Sequence, residues 1–120
     1  MLRLELEPLH GSGSEFQLQL EAPRTKSRAV VSIDRHSMQV RDDSPGAGWI
    51  LAERPLRPEL RRGAPVLVNV VATGNRLVIN CGRQMLRCDQ PAGQSGEPLE
   101  FSLVSPRGGF AIREMRIEGE

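Results

Sequence analysis

The strongest constraint on the fold is that apolar residues recur at every second position in short segments along the whole chain. Residues 2–7, 15–21 and 99–103 show this alternation most clearly. Successive side chains of a β-strand point to opposite faces, so the period predicts sheets with one buried and one solvated face. No segment carries a comparable helical period. We therefore predict an all-β protein.

The predicted strands are short and closely spaced, which is typical of a sandwich or barrel. Turns rich in glycine, proline and aspartate separate them. We expect about nine strands in an antiparallel two-sheet β-sandwich. They cover residues 2–7, 15–21, 28–33, 37–41, 65–72, 76–80, 83–88, 98–105 and 110–118, with a further short strand at 49–51.

Two predicted strands depart from simple alternation of apolar and polar residues. Both faces of residues 65–72 are largely apolar, so this strand is expected at the centre of its sheet. The last strand changes phase between Ile112 and Met115. Because a one-residue shift moves side chains to the other face, this change predicts a β-bulge near Arg113 and Glu114.

The segment 54–62 has a helix-like composition but contains Pro55 and Pro58. Proline inside a helix removes a backbone hydrogen bond and clashes with the preceding turn. We therefore expect an extended connection here, with one helical turn at residues 58–61.

Two cysteines, Cys81 and Cys88, are the only candidates for a disulfide. Residues 80–83 resemble a hairpin turn with Cys81 at its tip. At ~3.3 Å per residue, Cys88 then lies about 20 Å along the returning strand, beyond the ~7 Å that a disulfide spans. We expect two free thiols, with Cys88 partly buried, and no zinc site, because further ligands at suitable spacing are missing from the sequence.

Length and charge narrow the class of protein. The 120 residues fit one domain, and 16 basic against 15 acidic residues give a net charge of +1. That balance argues against a nucleic-acid binder, and no apolar run approaches the ~20 residues of a membrane span. Acidic residues interrupt the first apolar run, so it does not fit a signal peptide. We expect residues 1–120 to be a module of a longer bacterial protein, with no cofactor and with its compartment left open.

The second half of the chain resembles a known group of sandwiches. The resemblance covers residues 60–118 and is carried by residues 63–70 (GAPVLVNV), 74–80 (GNRLVIN) and 108–117 (GGFAIREMRI). Their order of strands and small turn residues is similar to that of concanavalin A-like jelly rolls, in particular laminin G-like modules and 3-keto-disaccharide hydrolase-type domains. The resemblance implies a jelly-roll sandwich and lectin-like binding of a carbohydrate. It transfers no catalytic residue to this chain.

Three residues are candidates for ligand binding. Trp49 is the one tryptophan, and a flat ring beside Asp42 and Asp43 can stack on a sugar while carboxylates bind its hydroxyl groups. The interpretation that we favour for Trp49 is a plug at one end of the sandwich core. Asp42 and Asp43 with Ser44 offer hard oxygen ligands for Ca²⁺, whereas adjacent aspartates in a loop also form ordinary turns, which we favour.

Other polar residues are interpreted as structural. Glycosidases of this fold use two carboxylates. Glu5/Glu7 and Glu15/Glu21 have suitable parity but are interpreted as solvent-side residues, and Glu114/Glu118 share parity on the last strand, near arginines. His10 and His36 lie in polar turns without a neighbouring nucleophile. The densest basic cluster consists of Arg54, Arg57, Arg61 and Arg62. It can dock an acidic surface of a partner, whereas the interpretation that we favour is a solvated loop.

The sequence thus predicts a non-catalytic β-sandwich module that binds a carbohydrate or a protein partner, without nucleic acid and without membrane insertion. A domain related to 3-keto-disaccharide or glycoside hydrolases and a structural spacer are the alternatives. Oligomeric state stays open.

Overall fold

A computed structural model describes residues 2–9, 15–89, 99–104 and 110–117, and every regular element in these ranges is a β-strand. There are ten strands in the described ranges. They are β1 (Leu2–Pro8), β2 (Glu15–Glu21), β3 (Arg28–Asp34), β4 (Ser37–Asp42), β5 (Ile50–Pro55), β6 (Val66–Thr73), β7 (Arg76–Cys81), β8 (Gln84–Asp89), β9 (Glu100–Val104) and β10 (Phe110–Ile117).

The strands form two five-stranded sheets. The first has the order β10-β1-β6-β7-β8, and the second has the order β5-β4-β3-β2-β9. All neighbouring strands are antiparallel. The all-β, antiparallel two-sheet sandwich predicted from the alternation is confirmed, and β6 occupies the central position that its apolar faces predict.

The alternating residues form the core between the sheets. From the first sheet, Leu4 of β1 and Ile79 of β7 are fully buried, as are Leu18 of β2 and Ile33 of β3 in the second. The ring of Phe16 is 2 % exposed and lies 6.5 Å from that of Phe110, with the planes tilted by 57°. Burial of these side chains provides the main stabilisation of the sandwich.

The predicted bulge is present in β10. Glu5 pairs with Glu114 whereas Leu6 pairs with Ile112, so Arg113 is the extra residue. A second bulge lies between β4 and β5, where Arg41 pairs with Ile50. Each extra residue shifts the strand that contains it by one position relative to its neighbour.

Tight turns join the strands on either side of β7. Gly74 and Gly82 occupy the first central position of two-residue turns and have φ angles of +57° and +60°. Glycine adopts this region without the steric penalty that a Cβ brings. Cys81 was predicted at the tip of the second turn, but it is the buried last residue of β7, and Gly82 and Arg83 form the tip.

The connection from β5 to β6 crosses between the sheets and differs from its prediction. The expected helical turn at 58–61 does not form. The Leu60 amide instead donates to the Arg35 carbonyl oxygen (2.9 Å), and Arg35 Nε donates to the Leu60 carbonyl oxygen (3.0 Å). These two bonds hold the connection against the β3–β4 turn. β5 is also longer than the predicted strand at 49–51.

Several predictions fall on residues outside the described ranges. They concern His10 in its polar turn, Glu118, and the predicted strand ends at residues 98, 105 and 118. In the part of the chain that is described, no helix has the length and apolar character needed to cross a membrane.

Candidate functional site

The loop after β4 holds the aspartates predicted to bind a ligand, and both are engaged within the fold. Asp42 Oδ1 accepts a hydrogen bond from the Ser44 amide (3.0 Å), which is an Asx turn. Asp43 lies between two guanidinium groups, 3.5 Å from Arg28 Nε and 3.7 Å from Arg41 Nε. The turn that we favoured over a calcium site is thus present. Among the described residues, no cluster of acidic, histidine and cysteine side chains is arranged to hold a metal ion.

Trp49 lies at the end of this loop, where its carbonyl oxygen accepts a hydrogen bond from the Asp42 amide (2.9 Å). The Trp49 side chain is 63 % exposed, so the prediction that it plugs the core is wrong. At the opposite end of β5, Leu56 is buried in the core, and its amide donates to the His36 carbonyl oxygen (2.7 Å). Trp49 therefore presents an accessible ring on the surface, while the nearby aspartates hold the loop.

Among the described residues, the glutamates with suitable parity are not arranged as the two facing carboxylates of a glycosidase. Glu15 accepts a hydrogen bond from Gln17 and Glu21 contacts Arg28, at opposite ends of β2. Glu114 lies on edge strand β10, where its Oε1 is 3.6 Å from Arg116 Nη2. Glu7 is buried, contrary to its predicted solvent-side position.

The burial of Glu7 has a local explanation. The Gly63 amide donates to the Pro8 carbonyl oxygen (2.8 Å), which brings the β5–β6 connection against this end of β1. The alternation of β1 is therefore lost in its last residues, which are buried on both faces.

A cavity of about 470 Å³ lies between the β5–β6 connection and the turn from β7 to β8. We call it the arginine cavity, because the side chains that give it charge are Arg57, Arg61 and Arg83. Apolar residues line the rest of its wall, chiefly Leu56, Pro58, Leu60, Pro65 and Val66. Its volume is in the range of ligand pockets in proteins.

The charge of the arginine cavity is unbalanced. One carboxylate, that of Glu59, lines it with the three guanidinium groups, and Glu59 Oε1 lies 3.0 Å from Nδ1 of His36. Within the described chain, no carboxylate lies at ion-pair distance from Arg57, Arg61 or Arg83. Guanidinium groups bind carboxylates in a planar, two-bonded geometry, so the cavity is suited to an anionic group.

Hydrogen bonds fix both walls of the arginine cavity. Gln84 Nε2 donates to the Arg57 carbonyl oxygen (3.0 Å), which joins the β7–β8 turn to the connection. The Gly82 amide donates to the Leu67 carbonyl oxygen (3.1 Å) and ties the same turn to β6. The cavity is therefore built before any ligand enters it, which lowers the entropy lost on binding.

The structure places only two arginines of the predicted basic cluster in the wall of the cavity. Arg57 and Arg61 line the cavity, whereas Arg62 does not. Arg54 Nη1 donates to the Met85 carbonyl oxygen (2.8 Å) at the neighbouring edge of the sheets. Arg83 was missed, because it lies far from the cluster in sequence. Its position at a hairpin tip was the one available signal.

Cys81 also lines the arginine cavity, and burial raises the pKa of its thiol to about 11. Burial and, second, the charge of Asp89 raise the pKa of Cys88. Both cysteines are free, as predicted, and Cys88 is partly buried. A thiol held in its neutral form is a poor nucleophile, so Cys81 acts here as a small apolar wall residue.

Comparison with known proteins adds nothing to this geometry: no family model, no curated protein and no solved structure matches the chain.

Proposed function

We propose that the protein is a non-catalytic binding module that holds an acidic segment of a protein partner in the arginine cavity. The observation that carries this proposal is that three arginines without a carboxylate partner in the described chain line a cavity whose wall is otherwise largely apolar. The resemblance to laminin G-like modules that the sequence predicts for residues 60–118 implies a binding role and not an enzymatic one.

The mixed wall of the cavity favours a peptide over a simple anion. Arg57, Arg61 and Arg83 supply positive charge, while Leu60 and Val66 supply apolar surface next to it. A peptide that alternates acidic and apolar side chains satisfies both parts of the wall. An inorganic anion would leave the apolar part solvated, and it would gain nothing from burial of that surface.

The test uses two fluorescein-labelled peptides, one alternating glutamate with leucine and the other alternating glutamine with leucine. Fluorescence anisotropy should show binding of the glutamate peptide that weakens as salt is raised, because salt screens exposed charges. The substitution Arg83→Glu should weaken binding by about tenfold or more, since it places a like charge against the ligand. Equal binding of the two peptides excludes this function.

The matched control is Arg62→Glu, which makes the same charge change one residue from Arg61 but outside the cavity wall. It should weaken binding by less than about threefold, through long-range charge alone. An equal loss in both variants would mean that net charge, and not the cavity, binds the peptide.

Carbohydrate binding at Trp49 is a second candidate, favoured by the exposure of this ring. Because Trp49 is the one tryptophan of the chain, its emission reports on this surface alone. Titration with a panel of neutral and acidic oligosaccharides should shift the emission, and Trp49→Ala should abolish binding. An unchanged emission across the panel excludes this candidate.

A further inference from the structure

We propose that two copies of this chain associate through the side of the sandwich formed by β9 and β10, which we call the open edge. This inference is independent of the proposed ligand, because the arginine cavity lies beside β7 and β8. β10 ends one sheet and β9 ends the other, so each has a strand neighbour on one side.

Apolar side chains that face the core are uncovered at the open edge. Leu103, Ile112 and Met115 pair with Leu18, Leu6 and Leu4, respectively, which are fully buried core residues. Yet the three edge residues are 37 %, 44 % and 51 % exposed. The core-facing side of each sheet therefore carries apolar side chains beyond the buried core, and these side chains are exposed to solvent. Exposed apolar surface of this kind is typical of a site that a partner covers.

The opposite side of the sandwich is closed in a different way. There the edge strands are β5 and β8, and Arg54 Nη1 donates to the Met85 carbonyl oxygen (2.8 Å). A polar bridge thus joins the two sheets at that edge. On that side, Leu86 of β8 pairs with the core residue Ile79 and is itself buried.

Charges on β10 indicate that the occupant is a second copy. Its outward-facing residues Glu114 and Arg116 lie two positions apart on either side of Met115. If two β10 strands pair antiparallel about a two-fold axis at Met115, Glu114 of each copy lies opposite Arg116 of the other. Such a contact is self-complementary, as a two-fold interface requires.

The same pairing relieves an unfavourable arrangement within one copy. Glu5 lies opposite Glu114, and Arg3 lies opposite Arg116, so β1 and β10 place like charges side by side. Like charges in directly opposed positions destabilise a sheet. The second copy adds an opposite charge next to each of these pairs, in addition to the contact between Arg116 and Glu114 within the strand.

Sedimentation equilibrium of the full chain, over a range of concentrations, tests this inference. We expect a monomer–dimer equilibrium in the wild type. Glu114→Arg and Arg116→Glu should each raise the dimer dissociation constant by about tenfold or more, because each places like charges in opposed positions. A mixture of these two variants should form heterodimers at least as well as the wild type, since all four opposed positions then carry opposite charges.

Met115→Glu should also weaken the dimer, and Met85→Glu is its matched control, because Met85 is an exposed methionine on the opposite edge strand. Circular dichroism confirms that each variant is folded. A wild type that remains monomeric at millimolar concentration overturns the inference. A dimer that is unaffected by the charge reversals, or that is weakened equally by Met85→Glu, also overturns it.

Discussion

Gln84 Nε2 lies 3.0 Å from the carbonyl oxygen of Arg57, and this hydrogen bond joins two walls of the arginine cavity that are distant in sequence. One wall belongs to the turn between β7 and β8, and the other belongs to the connection between the sheets. An uncharged side chain thus joins the two walls of the cavity directly.

Removal of this side chain should loosen the cavity without changing its charge. We expect Gln84→Ala to weaken binding of the glutamate–leucine peptide by about fivefold, which corresponds to the ~1 kcal/mol of a typical hydrogen bond. The control is Gln39→Ala on β4, whose side chain has no hydrogen-bond partner in the described residues. Peptide anisotropy measures both, and equal effects would contradict this role of Gln84.

The buried thiol of Cys81 should make stability fall in alkali. Burial raises the pKa of Cys81 from 9.0 to about 11, so the unfolded chain loses this proton at lower pH than the folded one. The stabilisation is complete below pH 9 and is lost as the pH rises towards 11. The loss of stability amounts to about 2 kcal/mol at pH 11.

Urea unfolding between pH 8 and pH 11 measures this effect. The chain has no tyrosine and Lys26 is its one lysine, so few other groups titrate in the interval, chiefly the thiol of Cys88. The variant Cys81→Ala should show a much smaller decrease in unfolding free energy than the wild type. Parallel decreases in the two proteins would show that another group is responsible.

The two cysteines should differ in their reaction with a thiol reagent. Cys81 is buried, whereas Cys88 is partly accessible. Ellman's reagent at pH 8 should therefore modify Cys88 first, and Cys81 should react at a rate limited by opening of the fold. The variant Cys88→Ala should lose the fast phase, and retention of that phase would contradict the assignment.

The aspartate loop should act as a turn and not as a calcium site. We expect Asp42→Ala to lower the unfolding free energy by about 1 kcal/mol, because the Ser44 amide loses its acceptor. Asp42→Asn keeps an acceptor oxygen and should preserve stability. Addition of Ca²⁺ should leave the melting temperature of the wild type unchanged, and a rise that Asp42→Asn abolishes would establish a metal site.

Truncation of Phe16 should be the most damaging of these changes. Its ring is buried and lies against that of Phe110, so Phe16→Ala should reduce the unfolding free energy by about 3–5 kcal/mol. The exposed Leu67 of β6 provides the control, for which Leu67→Ala should cost less than about 1 kcal/mol. Urea unfolding measures the loss of unfolding free energy in both variants. Similar losses in Phe16→Ala and Leu67→Ala would contradict the prediction.

The sequence was informative wherever structure depends on neighbours along the chain. The alternation at Phe16, Leu18 and Leu20 placed these residues in the core, and the phase change after Ile112 located the bulge at Arg113. Both signals arise because a strand turns each successive side chain to the opposite face.

Properties that depend on distant contacts were not predictable in this way. A period of two assigns a residue to a face but does not say which strands are neighbours, so nothing indicated that Arg83 and Arg57 share a cavity. The exposure of Trp49 likewise depends on the path of the loop after β4, which a period of two does not describe. The helical turn at 58–61 was excluded by hydrogen bonds to Arg35, which lies on another turn.

The order of the strands also bears on how the chain is made. β2, β3 and β4 each pair with the strand that follows them along the chain, whereas the partners of Leu2 in β1 are Val70 and Ile117. During synthesis the second sheet can begin to assemble early, while the first apolar strand waits for more than half of the polypeptide to emerge. We expect ribosome-bound chains shorter than 70 residues to bind a hydrophobic dye strongly and to lose it once β6 has been translated.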